Sequence, residues 1–207
     1  MKLMKKPISL SIVLLATPLM GQQVPFAATA NNRFGLDLYR EMAAREGNLC
    51  LSPLSIMTAL AMTANGAAGD TLAEMEKTLH CSGNLSQLNA SMRDLLEDFR
   101  KRKEQAAALA GKTPARKAGG PSFDFTVTNS LFGQEGYPFR REFLATLEKS
   151  YRAPLQFADF RKRAEAERVR INEWVSARTN KKIEDLLPGG SLDSSTRLVL
   201  VNALYFK

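Results

Sequence analysis

The last eleven residues, Arg197 to Lys207, read RLVLVNALYFK, and eight of them are apolar, β-branched or aromatic. Polar and apolar residues do not alternate there, which predicts a strand covered on both faces. A chain with such a strand must fold in layers, with other elements packed above and below a sheet. Nothing after Lys207 can cover this one, so the sequence is expected to be an incomplete part of a larger fold.

The other end predicts export. Lys2, Lys5 and Lys6 make a basic start, Ile8 to Met20 is a short apolar run, and Ala28-Thr29-Ala30 offers small residues for cleavage. Residues 1–30 are therefore expected to be a signal peptide and residues 31–207 the mature part. The destination is extracellular, or periplasmic if the source is bacterial. The apolar run is too short to span a bilayer. An oxidising compartment permits a disulfide between Cys50 and Cys81, while their apolar surroundings equally suit free buried thiols.

Charge is concentrated in one segment. The chain carries +8, yet residues 100–122 hold Arg100, Lys101, Arg102, Lys103, Lys112, Arg116 and Lys117 against Glu104 alone. The basicity is thus a patch rather than a property of the fold. Arg100 to Lys103 are candidates to bind a sulfated polysaccharide or another polyanion. The competing reading is a solvated helix end whose long side chains lie over apolar surface.

Helical signals dominate the first half. Asn31 or Asn32 can cap a helix with Phe34, Leu38 and Met42 on one side. Ser52-Pro53 starts another, with Ser52 as cap and Pro53 at a position that needs no donor. That helix, Leu54 to Ala64, is apolar all round and so predicted to lie inside the protein, closed by a left-handed Gly66. Thr71 and Glu74 suggest a capping box for a third helix, and Leu88, Met92, Leu95, Leu96 and Phe99 mark a fourth that runs into the basic stretch.

The period then changes. Lys112 to Ser122 is a loop, and Phe123, Phe125 and Val127 alternate with polar residues as a strand does, before a turn at Gly133 to Pro138. Phe139, Phe143, Leu147 and Tyr151 step by four along a helix, and Leu155 to Phe160 form a second strand. Ile171, Trp174, Val175 and Arg178 line the inner side of a charged helix beginning near Ala164. These elements define an α+β class with three strands separated by helices.

Catalytic constellations are missing from the sequence. The single histidine, His80, stands beside Cys81, and adjacent residues converge poorly on one metal ion. No base is offered a nucleophile and an orienting third group, and there is no phosphate-binding glycine loop. The chain is expected not to be an enzyme and to need no cofactor. Asn84 and Asn89 begin Asn-x-Ser sequons, relevant only to a glycosylated secreted protein.

Taken in order, NNRFGLDLYREM, GNLCLSPLSIMTALAMTANGAAGDT, NSLFGQEGYPF, FLATLEKSY, INEWVSARTNKKIEDLL and TRLVLVNALYFK resemble the N-terminal part of a serpin over residues 31–207. The resemblance implies the serpin fold, N-terminal part, with helices and the first strands of the large central sheet. It implies inhibition of serine proteases by a cleaved bait loop that inserts into that sheet and drags the acylated protease with it, driven by strain stored in the fold. It places Ser52, Ser55 and Asn202 in the family's shutter beneath the sheet, and Asn172 and Trp174 on the helix across the sheet's face. The segment around Arg100 falls where some serpins bind heparin-like chains. The family's reactive loop, its shutter histidine and its remaining strands lie beyond the equivalent of Lys207. These 207 residues are therefore expected not to inhibit alone. The alternative is a non-inhibitory module that binds a polyanion or another chain's strand.

Overall fold

The structure is a computed structural model, and it describes residues 24–44, 46–110 and 125–206. Four helices come first: α1 (Phe26–Ala43), α2 (Pro53–Ala64), α3 (Gly69–Thr78) and α4 (Leu85–Ala110). Strand β1 (Phe125–Gln134), helix α5 (Arg141–Tyr151), strand β2 (Leu155–Ala158), helix α6 (Phe160–Arg178) and strand β3 (Leu198–Phe206) follow. The basic start of the chain and the expected loop at Lys112 to Ser122 lie outside the described residues.

The strands form one sheet in the order β2–β1–β3. β2 is parallel to β1, with Leu131 opposite Leu155, and β3 is antiparallel to it, with Asn129 opposite Asn202. A cross-over helix, α5, joins the parallel pair, as parallel strands require. β1 is therefore the middle strand. β3, expected to be covered on both faces, has its outer edge without a strand partner among the described residues.

The lack of alternation in β3 now has its cause. Leu198 and Leu200 pack into a core made by α1, α2, α4 and α5, whereas Val199 and Val201 pack into a second core with Phe132, Phe160, Ile171 and Val175. Successive side chains point to opposite faces, and each face has its own helical cover. Apolar residues are demanded at both parities.

Local punctuation follows the sequence in some places only. Ser52 caps α2, its Oγ accepting from Ser55 N at 3.4 Å, with Pro53 in the first turn. Asp159 caps α6, whose first turn is set off by a kink at Arg163, so the long helical run does begin near Ala164. Helix α1, however, starts at Phe26 rather than at Asn31 or Asn32. Its early turns are stabilised from afar: Ala27 and Ala30 are buried, and Ala27 N donates to Ser91 Oγ of α4 at 2.9 Å. The small residues Ala28-Thr29-Ala30 are consequently helical, and cleavage at Ala30 would cut α1 and remove part of the core.

Two other expected caps are absent. Helix α3 begins at Gly69, before Thr71, with no side-chain cap. Gly66 does not adopt a left-handed conformation; a Cβ there would sit 3.2 Å from the Phe143 ring, which would have to give by a few tenths of an ångström. Cys50 is exposed and Cys81 buried, both as free thiols, so the permitted disulfide is not formed.

Candidate functional site

The hydroxyl of Ser55, in the first turn of α2, donates to Oδ1 of Asn202 on β3. Asn202 Nδ2 in turn donates to Asn129 Oδ1 at 2.6 Å, across the β1–β3 pair. A helix and two strands are thus joined by one chain of side-chain hydrogen bonds. Ser55 is 4% exposed, and a polar group so placed is costly to leave without a partner. The remaining expected member, Ser52, stands one turn behind: it holds the α2 N-terminus and steadies Ser55 through its backbone amide. Asn129 was not foreseen from the sequence. The β1 register that brings it opposite Asn202 involves pairing over residues far apart in the chain.

The other face of the sheet carries α6. Phe132 of β1 meets Trp174 edge to face, with ring centroids 5.8 Å apart, and the Arg178 guanidinium lies 4.0 Å over the Trp174 ring. Asn172 does a different job from Trp174. Its Nδ2 donates to Asp185 Oδ1 and to Leu187 O, and its Oδ1 accepts from Leu187 N at 2.9 Å. This ties the segment after α6 to the helix itself. At the other end of α6 the buried Glu167 accepts from Asp159 N and pairs with Arg170 at 2.6 Å. Arg161 N donates to Gln134 Oε1, linking the start of α6 to the end of β1.

The basic cluster lies on the exposed last turns of α4, and its charge is largely matched. Arg100 pairs with Glu97 at 2.5 Å and with Glu104, and Arg102 pairs with Asp98 at 2.6 Å. Glu97 also meets Arg152 at 2.7 Å. The hydrogen bond from Arg100, helped by the charges of Arg152 and Lys101, holds the Glu97 carboxyl below the usual carboxylate range. Lys101 and Lys103 are exposed beside these pairs. The acidic residues just before Arg100 complete the helix face, so the segment is less positive than residues 100–122 counted alone. Lys112, Arg116 and Lys117 lie outside the described residues.

His80 Nε2 and Asp37 Oδ2 are 2.8 Å apart, which fastens the end of α3 to α1. Among the described residues no group of His, Cys, Asp and Glu is arranged to hold a metal ion. Burial, with the negative Glu76 nearby, pushes the Cys81 thiol up to about 11. Asn89 of the second sequon is buried in the core, its amide paired with Asn65 and accepting from Tyr151, so the fold uses this side chain internally.

Comparison with known proteins identifies the family. The family model "Serpin (serine protease inhibitor)" matches residues 29–207. The chain is 41% identical over 182 residues to leukocyte elastase inhibitor of Sus scrofa, covering 87% of this chain and 43% of that protein. It is 36% identical to Serpin B13 of Homo sapiens, covering 86% and 45% of the two. Among solved structures, emu ovalbumin (Dromaius novaehollandiae) superposes with a TM-score of 0.70 at 28% identity, over 87% of this chain and 46% of that one. Arabidopsis AtSerpin1, in its native stressed conformation, superposes with a TM-score of 0.66 at 29% identity, over 90% and 44%.

The chain therefore belongs to the serpin family, and it has the serpin fold in its helices and partial sheet. It spans about half the length of the curated relatives it matches. The same relatives overturn the expected extracellular destination, because leukocyte elastase inhibitor and Serpin B13 are serpins of the intracellular type.

Proposed function

We propose that this chain is the N-terminal part of a loop-inserting inhibitor of serine proteases, a scaffold rather than a catalyst. The observation that carries the reading is the Ser55–Asn202–Asn129 hydrogen-bond chain, which fastens β3 to the helix beneath it while the outer edge of β3 has no strand partner among the described residues. A polar latch next to an open edge suits a sheet that must stay closed and then accept a strand. Directional bonds resist sliding until they break, and an unpaired edge offers ready donors and acceptors. Helix α6, held by polar contacts at both ends over the Trp174–Phe132 contact, would ride over the strand as it entered. Ser52, Ser55 and Asn202 act as the shutter in this reading, joined by Asn129. The target is a serine protease, and leukocyte elastase is the first to try, after the name of the relative at 41% identity.

The 207 residues by themselves are expected to trap no protease. A fusion of residues 24–207 to the C-terminal part of the Sus scrofa inhibitor, beyond the matched region, should form a detergent-resistant complex with elastase. A fusion that melts cooperatively but is only cleaved would refute the proposal. The second reading, a polyanion-binding module at Arg100–Lys103, draws on the exposure of Lys101 and Lys103 and is weakened by the ion pairs of Arg100 and Arg102. Retention on a heparin-type resin that disappears when those four residues become alanine would support it.

A further inference from the structure

Helix α2 has almost nothing but apolar surface with which to hold its position. Met57, Ala61, Met62 and Ala64 are buried among neighbouring helices, and such contacts are non-directional. Methionine in particular adapts its shape to whatever surrounds it. The two threonines between its ends direct their hydroxyls to the helix itself: Thr58 Oγ1 donates to Leu54 O at 2.6 Å and Thr63 Oγ1 to Ala59 O at 3.1 Å. Neither fixes α2 against another element.

Two polar side chains do reach across. Ser55 reaches β3, as described. Ten residues on, about 15 Å along a helix axis, Asn65 at the C-cap forms a reciprocal amide pair with Asn89 of α4. Asn65 Nδ2 donates to Asn89 Oδ1 at 3.0 Å, and Asn89 Nδ2 donates to Asn65 Oδ1 at 2.7 Å. The Tyr151 hydroxyl, at the last residue of α5, donates to the same Asn89 oxygen at 2.5 Å. Asn65 Nδ2 also donates to Ala61 O. Burial raises the Tyr151 phenol far above its ordinary range and keeps it a donor. Asn89 and Tyr151 are 8% and 4% exposed, so three helices meet at a hydrogen-bonded knot inside an otherwise oily core.

A reciprocal amide pair accepts one rotation and one axial offset of its two helices. Buried polar pairs are best attested in this use, as setters of register rather than sources of stability. We propose that Asn65, Asn89 and Tyr151 are positioning residues for the Ser55–Asn202–Asn129 latch. By fixing the rotation and height of α2 from its far end, they keep the Ser55 hydroxyl aimed at β3. The proposal deepens the reading of the latch given above, but concerns only how α2 is held and makes no use of protease inhibition.

The test is a thermodynamic cycle on the full chain, read by urea unfolding. Ser55→Ala is compared in the wild-type background and in one where Asn65→Leu and Asn89→Leu replace the amide pair by an apolar pair. Sites this far apart with no shared partner normally contribute independently, to within about a factor of two in the unfolding constant. Under the proposal the latch is already misaimed in the leucine background, so the destabilisation by Ser55→Ala should shrink at least fivefold as an equilibrium factor. An equal effect in both backgrounds would overturn the proposal even if later work confirmed protease trapping. Should the leucine pair fail to fold, Tyr151→Phe serves as the second background, with reduced but still measurable coupling expected and strict additivity as the contrary result.

Discussion

At the scale of single residues, the consequence of the latch is a pattern of costs. Asn202→Ala strands the buried Ser55 hydroxyl, which costs about 1–3 kcal/mol. Ser55→Ala leaves the half-buried Asn202 without its donor and should cost toward the lower end of that range, and together they should cost less than the sum because they remove one interaction. Ser52→Ala should cost about 1 kcal/mol as a lost cap, and because Ser52 holds the Ser55 amide its effect should fall short of additive with Asn202→Ala. Urea midpoints of the three single and two double variants check this. The thiols differ just as sharply: Cys50 should react with a thiol reagent at once and Cys81 only on unfolding. Because folding raises the Cys81 pKa, its neutral form stabilises the fold fully below the unfolded thiol value of about 8.5. That share is lost as pH climbs from there through about 11. A Cys81→Ala variant should show a shallower alkaline decline in stability than the parent; an identical decline would contradict the assignment. Sequence reasoning reached Ser55 and Asn202 because they stand in motifs of a known family. It missed Asn129, whose role depends on strand register, and it read Asn89 as a sequon. A signal for Asn89 was present: with Leu85, Met92 and Leu96 it lies at helical spacing on the apolar stripe of α4, where an amide needs a buried partner.

At the scale of elements, the type and order of helices and strands were legible from periodicity, and most errors fell at the ends. Those ends are decided by partners distant in sequence. α1 starts five residues before the nearest capping asparagine, where Ser91 of another helix accepts from the Ala27 amide. β1 runs to Gln134, into the turn expected at Gly133 to Pro138, because β3 and β2 pair with its second half. Gly133 looked like turn punctuation and is instead a packing glycine within the strand. A Cβ there would lie 2.7 Å from the Phe139 ring and 2.9 Å from Leu155. Gly133→Ala should therefore cost about 1–3 kcal/mol through overpacking, and shortening Phe139 to leucine in the same chain should recover part of it. Thermal melts of the two variants decide the matter.

At the scale of the whole molecule, the sheet's open side sets the behaviour in solution. The outer edge of β3 carries backbone groups with no strand partner among the described residues, and Leu36, Tyr39 and Phe157 are large apolar residues left exposed. Such edges and patches recruit other chains. The 207-residue polypeptide should therefore show an average mass that rises with concentration in sedimentation, and a mass that stays monomeric throughout would count against this account of the edge. The layered architecture itself was readable in RLVLVNALYFK, since apolar residues at both parities require two covers. Which edge that strand would occupy was not, because strand order follows from pairing partners rather than from composition.

The separation of Ser55 and Asn202, 147 positions along the chain, also bears on biosynthesis. A ribosome delivers α1 to α4 well before it delivers β3. Contacts that close so long a loop form slowly and late. During translation the middle strand β1 waits with one flank bare, and Ser55 waits without its acceptor. The helical layer must be able to stand for seconds as an unfinished mould, and the sheet is cast onto it only when Asn202 emerges.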